Sequence, residues 1–150
     1  MSTRSAILFG DTVLPPIAKD HIAEAVIYKH CDGYPHGECG TLALLAQFFD
    51  RVERDCGTDT RYNDPCYLAA KFVVYYTQLY AEQRKPERAT LKFIGMGVLG
   101  NSLNDLPGDL EYVYYLDCSN FQKRPNVLWG TYAEYMDAMD TRGDIEFGAR

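Results

Sequence analysis

The chain has 150 residues, of which 47% are hydrophobic and 13% aromatic, enough apolar side chain for one folded domain. Lysine and arginine number 15 against 21 aspartate and glutamate, so the net charge is −6. This balance disfavours a nucleic-acid binder, which needs clustered basic residues to neutralise phosphates, and favours a protein partner with a basic surface. The sequence has no long apolar run, no secretory signal and five cysteines, so we expect a cytoplasmic protein with reduced thiols and no membrane contact.

The first third of the chain predicts two strands and a helix. The strands are Ser5–Phe9 and Ala23–Lys29, and we expect them to pair antiparallel across a long connection that contains Pro15-Pro16. The helix is predicted from Thr41, as its N-cap, to Asp55, because apolar residues recur there at spacings of three and four.

The remainder predicts two more helices and three more strands. Asp64 caps a helix that begins at Pro65, and a capping box at Thr131 begins a short helix that ends at Met139. The strands are Ala89–Ile94, Leu110–Leu116 and Val127–Trp129. We therefore expect one α+β domain over residues 1–150, with a loose tail at 142–150. Its mainly antiparallel sheet of four or five strands packs against two main helices and a short C-terminal helix.

The end of the second strand concentrates residues that could carry chemistry. They are Tyr28, His30, Cys31, Asp32, Tyr34, His36, Glu38 and Cys39. The zinc-ligand set of His30, His36 and Cys39 is a weak alternative, because a second ligand pair is missing. We therefore expect no metal and no cofactor. Cys39 near a helix start could act as a nucleophile with either histidine as base, although no orienting carboxylate other than Asp32 is evident.

A structural interpretation of the same segment is favoured over a catalytic one. Asp32-Gly33 is a strong turn signal, and Tyr34-Pro35 directs the chain into an extended exit. These residues therefore predict a sharp corner between a strand and a helix.

The segment Gly95–Gly100 has the spacing of a dinucleotide-binding glycine pattern, but no helix follows it and no parallel β–α–β unit surrounds it. We expect a flexible turn or a bulge at these glycines, and not a phosphate-binding loop.

Two motifs resemble one protein family. Thr3-Arg4-Ser5 precedes the first strand, and Tyr28-Lys29-His30-Cys31-Asp32-Gly33-Tyr34-Pro35 ends the second. This arrangement resembles small uncharacterised proteins of bacteriophages and prophages, which carry T-R-S followed by Y-x-H-W-D-G-Y-P. Cys31 replaces the family's tryptophan. The resemblance implies a mobile-element gene expressed in the bacterial cytoplasm, and it implies no catalytic residue.

We therefore expect a non-enzymatic interaction module that binds and inhibits a host protein complex, for example one of antiviral defence. Exposed tyrosines and nearby acidic and imidazole groups would form its surface. These candidates are Tyr28, His30, Asp32, Tyr34, His36, Glu38, Tyr112 and Tyr114. A homodimer is compatible with this expectation. The alternative is a small-molecule binding protein or enzyme acting on a nucleotide-derived signal, held between the His30–Gly37 loop and the Gly95–Gly100 turn.

Overall fold

The computed structural model of the protein describes residues 2–11, 19–83, 91, 94–120, 123–141 and 147–148. Within these residues the strands are β1 (Ser5–Gly10), β2 (Ala25–Lys29), β3 (Met96–Leu99), β4 (Tyr112–Asp117) and β5 (Asn126–Thr131). The α-helices are α1 (Thr41–Cys56), α2 (Pro65–Gln83) and α3 (Tyr132–Asp140), and a 3-10 turn spans Leu103–Asp105.

The strands form one sheet in the order β3-β2-β1-β4-β5. β1 pairs antiparallel with β2, as predicted, and parallel with β4, while the other neighbouring strands pair antiparallel. Ile7 in β1 lies opposite Ile27 on one side and Tyr114 on the other. The parallel pair is possible because a long connection containing two helices separates β1 from β4. The predicted α+β fold is confirmed.

Both faces of the sheet are covered. Ile7 and Phe9 face α1 and α2, whereas Ala6 and Leu8 face α3 and the segment 103–110. All six residues of β1 are buried. A central strand that is covered on both faces needs apolar residues at successive positions, which explains the sequence Ala-Ile-Leu-Phe in β1.

The helix boundaries follow local signals with one correction. Gly40, and not Thr41, is the N-cap of α1, and no side chain caps this helix start. Thr41 is the first helical residue and is buried. The C-terminal end of α1 has the glycine that is favoured after a helix. Gly57 follows α1 with a φ of 60°, and its N–H donates to the Glu53 carbonyl. At α3 the predicted capping box between Thr131 and Glu134 is present.

The glycine-rich segment is a strand, so the turn expected at Gly95–Gly100 is wrong. Gly97 lies opposite Tyr28 in the register of β3 on β2, and a Cβ at Gly97 would lie 4.0 Å from the Tyr28 ring. Pairing with β2 and cover from an aromatic ring stabilise a glycine that would weaken an isolated strand. The side of the alternative nucleotide pocket that was expected to be a turn is therefore strand β3.

Two predictions fall mainly outside the described residues. Of the strand expected at Ala89–Ile94, only Leu91 and Ile94 are described, and neither lies in a strand. Of the tail, only Phe147 and Gly148 are described, and Phe147 is buried against Tyr135 with ring centroids 5.1 Å apart. Over the described ranges, no helix is long and apolar enough to cross a membrane.

Candidate functional site

Residues 30–40 form the corner between β2 and α1, and this corner is built around a buried lysine. Lys29 is the last residue of β2 and is 1% exposed. Its Nζ donates hydrogen bonds to the carbonyl oxygens of Cys31, at 2.5 Å, and Asp32, at 2.8 Å. A buried ammonium is costly unless acceptors surround it, so the chain turns its carbonyl groups inward at this point.

Two further side chains hold the same stretch of backbone. The Tyr114 hydroxyl in β4 donates to the Gly33 carbonyl at 2.6 Å, and the Thr41 hydroxyl in α1 donates to the Asp32 carbonyl at 3.2 Å. Three consecutive carbonyl groups, of Cys31, Asp32 and Gly33, are thus fixed by side chains from β2, α1 and β4. This geometry agrees with the interpretation of the segment as a structural corner.

The Asp32-Gly33 turn has no room for a larger residue at its second position. Asp32 has a φ of 54°, in the left-handed region that aspartate tolerates. The Gly33 N–H donates to the Thr3 carbonyl at 2.9 Å. A Cβ at Gly33 would lie 2.6 Å from that oxygen, so glycine is required by close packing. The two sequence motifs, at Thr3 and at Gly33, are therefore joined in space.

The histidines of the corner do not come together as metal ligands. Nδ1 of His30 lies 2.9 Å from the Tyr28 hydroxyl, and the His36 ring packs edge-to-face on Trp129 with centroids 5.3 Å apart. No group of three His, Cys, Asp or Glu side chains among the described residues could hold a metal ion. The structure therefore gives no support to the weak zinc alternative with His30, His36 and Cys39.

The nucleophile hypothesis for Cys39 gains no support from the corner. Cys39 and its neighbour Glu38 are both exposed. No hydrogen bond within the described part of the chain joins Cys39 to His30 or to His36. A thiolate needs an imidazole within hydrogen-bond reach to be activated as a nucleophile.

The predicted set of four exposed tyrosines needs correction. Tyr114 is fully buried, because its strand is central and α1 and α2 cover its face of the sheet. Tyr28 and Tyr112 are partly buried but pack on opposite faces of the sheet, so they cannot share one surface. Tyr34 lies on the corner, partly buried, and its pKa is raised by desolvation and then by the nearby Asp32 carboxylate.

The outer edge of β3 is a feature that the sequence analysis missed. β3 is the first strand in the sheet order, and Val98 on it is 79% exposed. Ile94 and Leu91, which precede it, are 48% and 93% exposed. The β-branched and apolar residues after Gly95 were the available signal for this strand.

A cavity of about 500 Å³ between α1 and α2 was also missed. Aromatic and aliphatic side chains from both helices line it together with Lys71, Arg51 and Cys56. The cavity depends on how closely α1 and α2 pack, and no sequence pattern predicts the distance between two packed helices.

Comparison of the chain with protein-family models, with curated proteins and with solved structures found no match. The likeness to phage and prophage proteins therefore stays a prediction from two short motifs.

Proposed function

We propose that this protein is a non-enzymatic interaction module of a phage or other mobile element. It acts in the bacterial cytoplasm, where it binds and inhibits a host protein complex, for example one of antiviral defence. The docking site is the outer edge of β3. The observation that carries the proposal is that β3 ends the sheet with an apolar residue, Val98, 79% exposed. Exposed apolar edge strands are used to bind an extended segment of a partner.

The backbone of β3 offers hydrogen-bonding groups to such a segment. The His30 N–H donates to the Gly95 carbonyl at 3.0 Å, which makes this a hydrogen-bonded pair of the antiparallel ladder. Hydrogen-bonded and non-hydrogen-bonded pairs alternate along such a ladder. The N–H and C=O groups of Met96 and Val98 therefore point away from β2, toward the outer edge.

The opposite edge of the sheet is better protected. A Cβ at Gly148 would lie 2.9 Å from the backbone nitrogen of Trp129, so the chain at Gly148 runs directly beside β5. Throughout the described ranges, β2 is the only strand that pairs with β3. This asymmetry favours β3 over β5 as the docking edge.

Charge favours a basic partner over a second copy of the chain. The net charge is −6, and the carboxylate of Asp105 lies against Gly100, which directly follows β3. Two copies would bring like charges together, whereas a segment rich in lysine or arginine would gain attraction and a faster association rate.

The corner between β2 and α1 also holds the docking edge in place. The His30 N–H in this corner donates to the Gly95 carbonyl and so fixes the start of β3.

The test uses two variants of the edge and one matched control. V98K places a charge where the partner's apolar side chain would pack, and V98P removes an outward N–H group. N126K adds the same charge at an exposed residue of β5. Tagged wild type and variants are used to capture proteins from bacterial lysate, and the captured protein is identified, purified and titrated against each.

We expect V98K and V98P to weaken binding of that protein at least tenfold and N126K to change it less than twofold. Equal binding by wild type and V98K contradicts the proposal, as does a wild type that captures nothing. A dimer of the purified protein, seen by light scattering and dissociated by V98K, would replace the host partner with a second copy.

A further inference from the structure

The cavity between α1 and α2 has the size and lining of a small-molecule site. Its volume of about 500 Å³ lies inside the usual range for such sites, roughly 300–1,000 Å³. Phe48 and Val52 of α1 and Tyr75 of α2 are buried parts of its wall. Tyr67 and Val74 complete the apolar lining and are 49% and 56% exposed.

A polar contact joins the two helices near each end of the cavity. At one end Lys71 Nζ lies 3.6 Å from Cys56 Sγ, and at the other the Arg51 guanidinium donates to the Gln78 side chain at 3.3 Å. With a rise of about 1.5 Å per helical residue, the two contacts are roughly 8–10 Å apart. A ligand of one or two rings fits this length.

Lys71 is a cation without a carboxylate partner in the described structure. Its Nζ donates to the Thr60 carbonyl at 3.0 Å and lies 5.0 Å from the centre of the Tyr67 ring. In contrast, Arg51 pairs with Asp55 at 2.7 Å and Arg124 pairs with Glu53 at 2.5 Å. An ammonium that forms no ion pair within 4 Å in the described structure, beside a largely apolar cavity, can pair with the anionic group of a ligand.

The charges of the cavity lining favour a ligand with one negative charge, because Arg51 and Lys71 are cationic and Asp55 is anionic. The Arg51 guanidinium is already neutralised by Asp55, whose pKa it lowers through their hydrogen bond. Asp55 therefore stays ionised at neutral pH and would repel a second anionic group.

We propose that this cavity binds a small amphipathic monocarboxylate, with its apolar body against Phe48, Val52 and Tyr75 and its carboxylate on Lys71. The carboxylate replaces none of the hydrogen bonds of Arg51. It accepts a charge-assisted hydrogen bond from the third N–H of the Lys71 ammonium. This site shares no residue with β3, so the proposal is independent of the proposed docking function.

The direct test compares two probes of nearly the same size and shape, one anionic and one neutral. 1-Naphthaleneacetate and its neutral amide, 1-naphthaleneacetamide, are titrated against the wild-type protein by calorimetry. We expect the carboxylate to bind at least tenfold more tightly than the amide. Equal affinities, or no binding of the carboxylate at millimolar concentration, would overturn the proposal.

Four variants locate the binding. K71M removes the charge and keeps the aliphatic stem, so we expect the preference for the carboxylate to disappear, while K71R retains it. K123M removes an exposed lysine outside the cavity and leaves both affinities unchanged. A70F places a ring in the cavity lining and abolishes binding of both probes. Circular dichroism confirms the fold of each variant, and unchanged binding by folded K71M or A70F contradicts the site.

Cys56 gives an independent readout at the same cavity. Its Sγ lies beside Lys71, so bound carboxylate should shield it from iodoacetamide. Peptide mass spectrometry follows its alkylation with and without the probe, and exposed Cys66 serves as internal reference. We expect at least a threefold slower reaction at Cys56 and no change at Cys66. Equal slowing at both cysteines would contradict binding in the cavity.

Discussion

The hydroxyl of Tyr114, in the middle of β4, donates a hydrogen bond of 2.6 Å to the carbonyl oxygen of Gly33, 81 positions earlier in the chain. Burial of the phenol raises its pKa, so the hydroxyl keeps its proton and remains a donor. A residue buried in the centre of the sheet therefore holds the corner that leads into α1.

We expect Tyr114→Phe to destabilise the protein by about 1–2 kcal/mol, because the buried Gly33 carbonyl loses its donor. Tyr135→Phe is the matched control, since the Tyr135 hydroxyl is buried with no hydrogen-bond partner among the described residues. Urea unfolding gives the free energy of unfolding of both variants. Y135F should be neutral or slightly stabilising, and an equal loss in the two variants would show that the Tyr114 hydrogen bond contributes nothing specific.

The Gly33 turn gives a steric prediction. Gly33→Ala places a methyl group 2.6 Å from the Thr3 carbonyl oxygen, and we expect a loss of about 1–3 kcal/mol or more. Gly108→Ala is the control, because a Cβ there meets nothing within 4 Å. It should change stability by less than about 0.5 kcal/mol in the same urea experiment. If G33A is as stable as G108A, the turn is looser than its contacts indicate.

Local signals were sufficient for much of the fold. The starts of α2 at Pro65 and α3 after Thr131 follow from capping residues adjacent in sequence. The Asp32-Gly33 turn was predicted for the same reason. β3 was missed because Gly97 becomes part of a strand only when it pairs opposite Tyr28, 69 residues away, which the sequence does not reveal.

The candidate site was harder to predict. Alternation along β4 shows which residues share a face, but not that helices cover both faces, so Tyr114 was expected to be exposed. The carbonyl groups that Lys29 binds carry no side-chain signature. The cavity beside Lys71 depends on the packing of α1 against α2, which is likewise absent from the residue pattern.

Glu53 gives a pH dependence with a defined sign. It accepts hydrogen bonds from Arg124 and Tyr62, which lower its pKa below the usual 4.5. The unfolded chain therefore takes up this proton at higher pH than the folded one. The resulting stability is present above about pH 4.5 and is lost as the pH falls through the folded pKa.

We expect Glu53→Gln to remove this contribution, which is less than about 1 kcal/mol because the pair is about 40% exposed. The stability difference between wild type and E53Q should be largest near neutral pH and should shrink toward pH 3. Urea midpoints measured between these pH values provide the test. A constant difference between wild type and E53Q across this pH range would exclude this linkage.

The cysteines should differ in their rates of alkylation at pH 8. Cys118 is 1% exposed, and burial followed by the nearby Asp117 charge raises its pKa to about 12, so almost no thiolate forms. Cys66 is exposed, but desolvation and then Glu24 raise its pKa as well. Cys39 is exposed at the corner.

We expect iodoacetamide to label Cys39 fastest and Cys66 more slowly, and to label Cys118 only after the protein is unfolded in urea. Peptide mass spectrometry over a time course resolves the three rates, and the urea sample confirms that Cys118 can be detected. Native labelling of Cys118 at the rate of Cys39 would contradict its burial between β4 and the helices. Equal rates at Cys66 and Cys39 would show instead that the carboxylates around Cys66 do not suppress its thiolate.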